Sequence, residues 1–244
     1  HHFTLYCGFV AVSKEKMAAM VFSDNGVKIT DDDGNELPCQ IILERSTIPG
    51  FRTRVVFGGT VPPMGYAAYH FNQKGGDVRH SCDGDADVLD GGILTVKTMN
   101  ENGGVEIRDN RDGSVYAITP EVRADDGDVW SFNTCGFGDA LEPFTPISAA
   151  RTESGDIKNV VRTRFGFRSS NMEQRITVYP GRDYVDIAYR VAWDEPHTAL
   201  KYRITTPSAP DRIVAGVPGG LCERGFDGEE YPLSETIELG DITV

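Results

Sequence analysis

The sequence predicts an all-β protein, and three observations carry that expectation. Apolar residues recur with a period of two, not of about 3.6, along most of the chain. Turn signals punctuate the alternating runs: Asp33-Gly34, Asn102-Gly103-Gly104, Asp112-Gly113, Pro180-Gly181 and Pro218-Gly219-Gly220. Helical patterning is nearly absent. The 27 glycines and 13 prolines among 244 residues fit this turn-rich order, and 39% hydrophobic residues with 9% aromatics suffice for a core, so disorder is not expected.

In chain order, residues 13–20 (SKEKMAAM) are the best helical stretch, barely two turns long and marginal without tertiary support. Short strands are expected at 54–57, 66–71, 93–98, 104–108 and 114–119. The segment 161–168 sets Val161, Thr163, Phe165 and Phe167 on one face and Arg162, Arg164, Gly166 and Arg168 on the other. A strand at 173–179 follows. From 185 to 193, Val185, Ile187, Tyr189, Val191 and Trp193 alternate with Asp186, Ala188, Arg190 and Ala192. Strands at 199–205 and 236–239 complete the set. With no internal repeat and no alternating helices, the expected architecture is an antiparallel sandwich or barrel. Residues 73–91 are rich in Asp and Gly and read as a linker or loop. They separate a front piece, 1–72, long enough for a small β-sandwich, from a back piece, 92–244, expected to be part of a large one.

The charge excludes some partners. Thirty-seven acidic against 24 basic side chains give −13, the wrong sign for displacing counterions from nucleic acid or for adhering to an anionic membrane. No signal-like segment or apolar run near ~18 residues is present, so no membrane insertion is expected and the location is read as cytoplasmic. Cys7, Cys39, Cys82, Cys135 and Cys222 are odd in number, widely spaced and without a C-x-x-C, which suits thiols of a reducing compartment. His1-His2 carry no functional weight. A chain that opens inside a β-like pattern without an initiator Met is expected to be a piece of a longer polypeptide.

Chemistry-bearing motifs are few. Asp83, Asp85 and Asp87 imitate the opening of a calcium loop, but Val88 and Leu94 occupy the places of its Gly and bidentate Glu. His70, His80 and His197 form no H-E-x-x-H, H-x-H or H-x-D, and no nucleophile elbow, Walker loop or dinucleotide fingerprint occurs. A glycosidase-type carboxylate pair, about 5–9.5 Å apart, cannot be selected among 37 acids. Neither a catalytic residue nor a metal ligand is assigned, and no cofactor is expected in this chain. The densest stretch is 193–201, Trp-Asp-Glu-Pro-His-Thr-Ala-Leu-Lys. Trp193 could stack on a sugar ring with Glu195, His197 and Lys201 supplying hydrogen bonds, or the stretch could be a sandwich corner in which Trp193 is core and Glu195 pairs with Lys201 or an Arg.

The run Ser170, Gln174-Arg175-Ile176-Thr177-Val178-Tyr179, then Trp193, Glu195, His197, Leu200 and Lys201, resembles the S-x-x-x-Q-R-I-T-L-Y…W-x-E-x-H-x-x-L-K signature of glycoside hydrolase family 38, the retaining α-mannosidases. Further ordered matches resemble the same family. They are Asp33-Gly34 with Pro38 and Gln40; Val61-Pro62-Pro63-Met64-Gly65-Tyr66 with Tyr69; Asn102-Gly103-Gly104 with Asp109 and Gly113; Asp128-Val129-Trp130; and Arg224 with Gly228-Glu229-Glu230 and Pro232. The resemblance implies the family's β-rich C-terminal region: a small β-sandwich followed by a large antiparallel supersandwich resembling the galactose-mutarotase-like fold. The family's nucleophile, acid/base and divalent zinc belong to an N-terminal α/β barrel, so this chain alone is expected to be inactive. Its implied partners are that barrel, in the same polypeptide, and a mannose-containing glycan. Removing the barrel would uncover an apolar face able to drive self-association. Asp128, Trp130, Trp193, Glu195, His197, Lys201 and Arg224 are the candidates for substrate binding or for a domain interface. The alternatives are an independent carbohydrate-binding module and an aldose mutarotase-like enzyme, which would need two His and a Glu converging from a sparse histidine set.

Overall fold

The computed structural model describes residues 26–42, 54–75, 86–127, 137–228 and 230–244, and among them there is no helix. The strands are β1 (Gly26–Asp31), β2 (Glu36–Leu37), β3 (Cys39–Ile42), β4 (Arg54–Phe57), β5 (Tyr69–Gly75), β6 (Val88–Asp90), β7 (Leu94–Met99), β8 (Gly104–Asp109), β9 (Val115–Ala124) and β10 (Thr145–Glu153). They continue as β11 (Asn159–Phe167), β12 (Ser170–Val178), β13 (Val185–Ala192), β14 (Thr198–Thr205), β15 (Ile213–Val217), β16 (Gly220–Arg224), β17 (Ile237–Leu239) and β18 (Ile242–Thr243). The expected all-β class is what the chain adopts. The helical stretch 13–20 and residues 76–85 of the Asp/Gly-rich segment lie outside the described residues; the flanks of that segment are strand, in β5 and β6.

Two compact units emerge, and they interleave in sequence. The first is His1–Ile93 with Ala150–Arg162 and Arg175–Ala188; the second is Leu94–Ala149 with Thr163–Gln174 and Tyr189–Val244.

In the first unit, β2-β1-β5 form one antiparallel sheet and β3-β4 a second, with Cys39 opposite Phe57 and Ile42 opposite Arg54. The β1–β2 turn follows from its residues. Asp31 accepts the Asp33 and Asn35 N–H groups (3.1 and 2.8 Å) and the Asn35 side-chain amide (3.0 Å), and Gly34 takes the positive φ of 82°. Phe57, nearly fully buried, meets the edges of Tyr69 and Phe71 at 5.0 and 6.1 Å between centroids. Gln40, also buried, donates to the Lys158 carbonyl (3.1 Å) and accepts the Lys158 N–H (3.0 Å), an amide side chain serving as a short ladder rung across 118 positions.

In the second unit, β7, β8, β9 and β14 pair antiparallel in sequence-adjacent order up to the long return of β14 onto β9. The β7–β8 turn uses Asn102-Gly103: Gly103 has φ 78°, and the Gly104 N–H bonds the Asn102 side chain at 2.8 Å. The core joins Val122, Phe144, Phe165, Phe167 and Met172, with Leu141, Tyr189, Trp193 and Leu200 packed against it. The predicted alternation of β11 is realised: Val161, Thr163, Phe165 and Phe167 are buried, and Arg162, Arg164 and Arg168 are exposed.

Some boundaries differ from the sequence pattern, for local reasons. Strand β9 continues through Pro120 to Ala124, well beyond 119. Its register with β8 ends at Ile118, so beyond it β9 is paired to β14 and tolerates a residue without an N–H. Strand β5 begins at Tyr69, not at 66, since Met64 sits at φ 52° in an irregular approach. Strand β10 was not anticipated. Its residues are mostly exposed, and an edge strand opening Thr-Pro-Ile lacks the alternating signal.

Candidate functional site

The stretch 193–201 runs from the end of β13 into β14 in the second unit. Trp193 is half-buried and stacks on Phe167, with centroids 5.8 Å apart and planes within 9° of parallel, while Phe167 in turn touches Phe144 at 5.6 Å. Its ring is thus committed to the core on one face. Glu195 accepts the Ser169 N–H (2.7 Å) and the Ser170 hydroxyl (3.1 Å), and the same hydroxyl accepts the Asp194 N–H (2.8 Å). This network ties the β11–β12 turn to the loop after β13. That turn carries Arg168 at φ 48°, an unusual value for a non-glycine residue, and a two-pronged pair to Glu142 (2.7 and 3.1 Å) holds it. The pairing pulls the Glu142 carboxyl below the ordinary carboxylate range.

His197 is exposed, at φ 54°, and contributes through its backbone: its carbonyl accepts the Asp125 N–H at 2.9 Å. Lys201 pairs with the Glu230 carboxylate, and its ammonium lies 4.1 Å above the Phe137 ring. Asp125 and Phe137 flank residues 128–136. Asp128 and Trp130, two further sequence candidates, lie outside the described residues.

Arg224, at the end of β16, places its guanidinium 4.7 Å above the ring of Tyr231, whose hydroxyl donates to Asp227 at 2.5 Å. Lys201 and Arg224 thus converge on the consecutive residues Glu230 and Tyr231. The Arg224 Nε is buried and has no hydrogen-bond partner among the described residues. The structure brings Lys201 and Arg224 together with Glu230, Tyr231 and Phe137. It commits Trp193 and Glu195 to packing and turn-holding. Sequence reasoning did not select Phe137, Glu230 or Tyr231. Glu230 stood inside a family marker, but nothing in the sequence singles out one acid of 37 as the partner of Lys201.

The family model described as the glycosyl hydrolases family 38 C-terminal domain matches residues 89–241. The chain belongs to this family. The matched span includes every candidate residue above, from Asp128 to Arg224, and both halves of the Lys201–Glu230 pair. Among solved structures, the chain is similar to the crystal structure of an alpha-mannosidase from Enterococcus faecalis V583, with a TM-score of 0.59 at 13% identity over 91% of this chain. It spans 32% of that chain's length. No curated protein sequence matches. Among the described residues no group of three His, Cys, Asp or Glu side chains is placed to hold a metal ion. No helix among them is long and apolar enough to cross a membrane.

Proposed function

We propose that this chain is a non-catalytic C-terminal β region of an α-mannosidase, whose zinc-dependent barrel is carried elsewhere in the full-length, cytoplasmic polypeptide and acts on mannose-containing glycans. The observation that carries the reading is the family match over 89–241 together with the site it encloses, where Lys201 and Arg224 meet on Glu230 and Tyr231. Beside the Tyr231 ring, the guanidinium of the half-buried Arg224 is suited to orienting hydroxyls of a sugar held by another domain, and so to fixing it for attack. The exposed Leu221, Phe226, Tyr231 and Leu233 within 221–233 support contact of this edge with the rest of the polypeptide.

The test is hydrolysis of an aryl α-mannoside with zinc supplied. The full-length polypeptide is expected to turn over and this chain alone is not. In the full-length enzyme Arg224→Ala and Glu230→Gln are each expected to lower kcat/KM by about tenfold or more, the scale of one lost charged contact. Turnover by the chain alone overturns the proposal, and wild-type kinetics in both variants removes the sugar-orienting role of this site.

A further inference from the structure

The first unit contains a cleft of about 630 Å³ that the site above does not use, within the range of small-ligand sites, about 300–1,000 Å³. Its walls come from the β1–β2 turn with Leu37 and Pro38, the end of β4 with the irregular segment ahead of β5, and residues 156–157 and 179–184. Four tyrosine rings line it, those of Tyr66, Tyr69, Tyr179 and Tyr184. Tyr69 and Tyr179 are anchored by their hydroxyls, Tyr69 donating to the Thr60 carbonyl at 3.0 Å and Tyr179 to Asp186 at 2.6 Å, so what they offer the cleft is ring surface. Tyr184 leans on Tyr179 with centroids 5.1 Å apart and is 45% exposed; Tyr66 is 89% exposed. The seating of Tyr69 depends on Gly59, where a Cβ would fall 2.6 Å from the tyrosine oxygen.

Polar groups suited to hydroxyls stand beside these rings. Asp31 and Asp32 are engaged, the first in its turn and the second with His70 at 2.9 Å. Asp33, Asp156 and Arg182 line the cleft as well, and their side chains enter no hydrogen bond or ion pair among the described residues. Carboxylates that accept, a guanidinium that donates, and ring faces that attract polarised C–H groups form the complement of a pyranose, which is apolar on its faces and hydroxylated at its rim. The excess of carboxylates over the single arginine disfavours anionic sugars. No three of the acids converge as a metal site would require.

We propose that this cleft binds a short neutral saccharide chain, with the Tyr66 and Tyr184 rings as stacking surfaces and Asp33, Asp156 and Arg182 as hydroxyl partners. That the sugar is mannose rests on the function proposed above. The test is isothermal titration of the chain with α-mannotriose, with a phosphorylated mannotriose as the anionic comparator. Binding is expected for the neutral sugar. It weakens by about tenfold or more in Tyr184→Ala and in Arg182→Ala, while both variants keep the wild-type far-UV circular dichroism. The anionic sugar is expected to bind more weakly. No detectable binding of the neutral triose, affinity unchanged in both folded variants, or preference for the anionic sugar overturns the proposal. Aryl-mannoside hydrolysis by the full-length polypeptide separates the two readings. Hydrolysis without triose binding by the chain overturns the cleft alone, and triose binding without hydrolysis overturns the α-mannosidase reading alone.

Discussion

Gln40 offers the sharpest test of how the first unit is held. Its side chain is 3% exposed and makes both available bonds to the backbone of Lys158. Gln40→Ala strands a buried N–H and a buried C=O, each costing about 1–3 kcal/mol when left unpaired. It also leaves a hole. A water could enter that hole and satisfy both groups, which would soften the loss. Gln40→Met is therefore the more decisive variant: it fills a similar volume, keeps water out and restores neither bond. The expected destabilisation is about 2–5 kcal/mol for Met, at least as large as for Ala.

The assay is urea unfolding, with hydrogen exchange at the Lys158 amide as a local readout, since the two units need not unfold together. Slow exchange in the wild type and fast exchange in Gln40→Met are expected. Gly155→Ala should act through the same contact, because its Cβ would lie 2.5 Å from the Gln40 Cδ, and its cost should shrink in the Gln40→Ala background. A Met variant within about 0.5 kcal/mol of wild type, with the Lys158 amide still protected, would refute the reasoning.

Two further outcomes follow from the second unit. Glu195→Ala removes the acceptor for the Ser169 N–H and the Ser170 hydroxyl, and thermal or urea melts should show a loss of about 1–3 kcal/mol; an unchanged midpoint would remove Glu195 from the turn-holding role. Burial, helped by neighbouring Tyr189, pushes the Tyr202 phenol above its ordinary value, so its stabilising contribution is complete below about pH 10 and is lost as pH rises from there toward the raised folded value. Melting temperatures from about pH 9 to 11 should fall less in Tyr202→Phe than in wild type, and parallel curves would contradict that origin.

Particular residues show what the sequence made legible and what it did not. The face of β11 could be read directly, because a period of two is a property of one strand and needs no partner. The passage of β9 through Pro120 could not, since whether a missing N–H matters depends on which neighbour lies on that side. Gln40 stood out within a marker, yet its role is set by a backbone 118 positions away. The same limit hid Glu230: attraction between Lys201 and a carboxylate is easy to expect, but the choice of carboxylate is made by the approach of residue 230 to β14.

The W-x-E-x-H-x-x-L-K block illustrates how a recognisable motif can owe its pattern to positioning. Each polar member is committed to a part of the second unit: Glu195 to the turn at Ser169, His197 through its carbonyl to Asp125, Lys201 to Glu230 and Phe137. Trp193 supplies the fixed floor by stacking on Phe167. The contacts of Trp193 and Glu195 hold the end of β11 and its turn, and those of His197 and Lys201 hold Asp125, Phe137 and Glu230. A residue that acts by placing another should reveal itself in stability and geometry before chemistry. Arg224 differs: its guanidinium rests on Tyr231, and its buried Nε has no hydrogen-bond partner among the described residues. That difference makes Arg224 the candidate whose substitution separates an interface role from the turn-holding role of Glu195: Arg224→Ala should leave the melting of this chain near that of wild type, whereas Glu195→Ala should not.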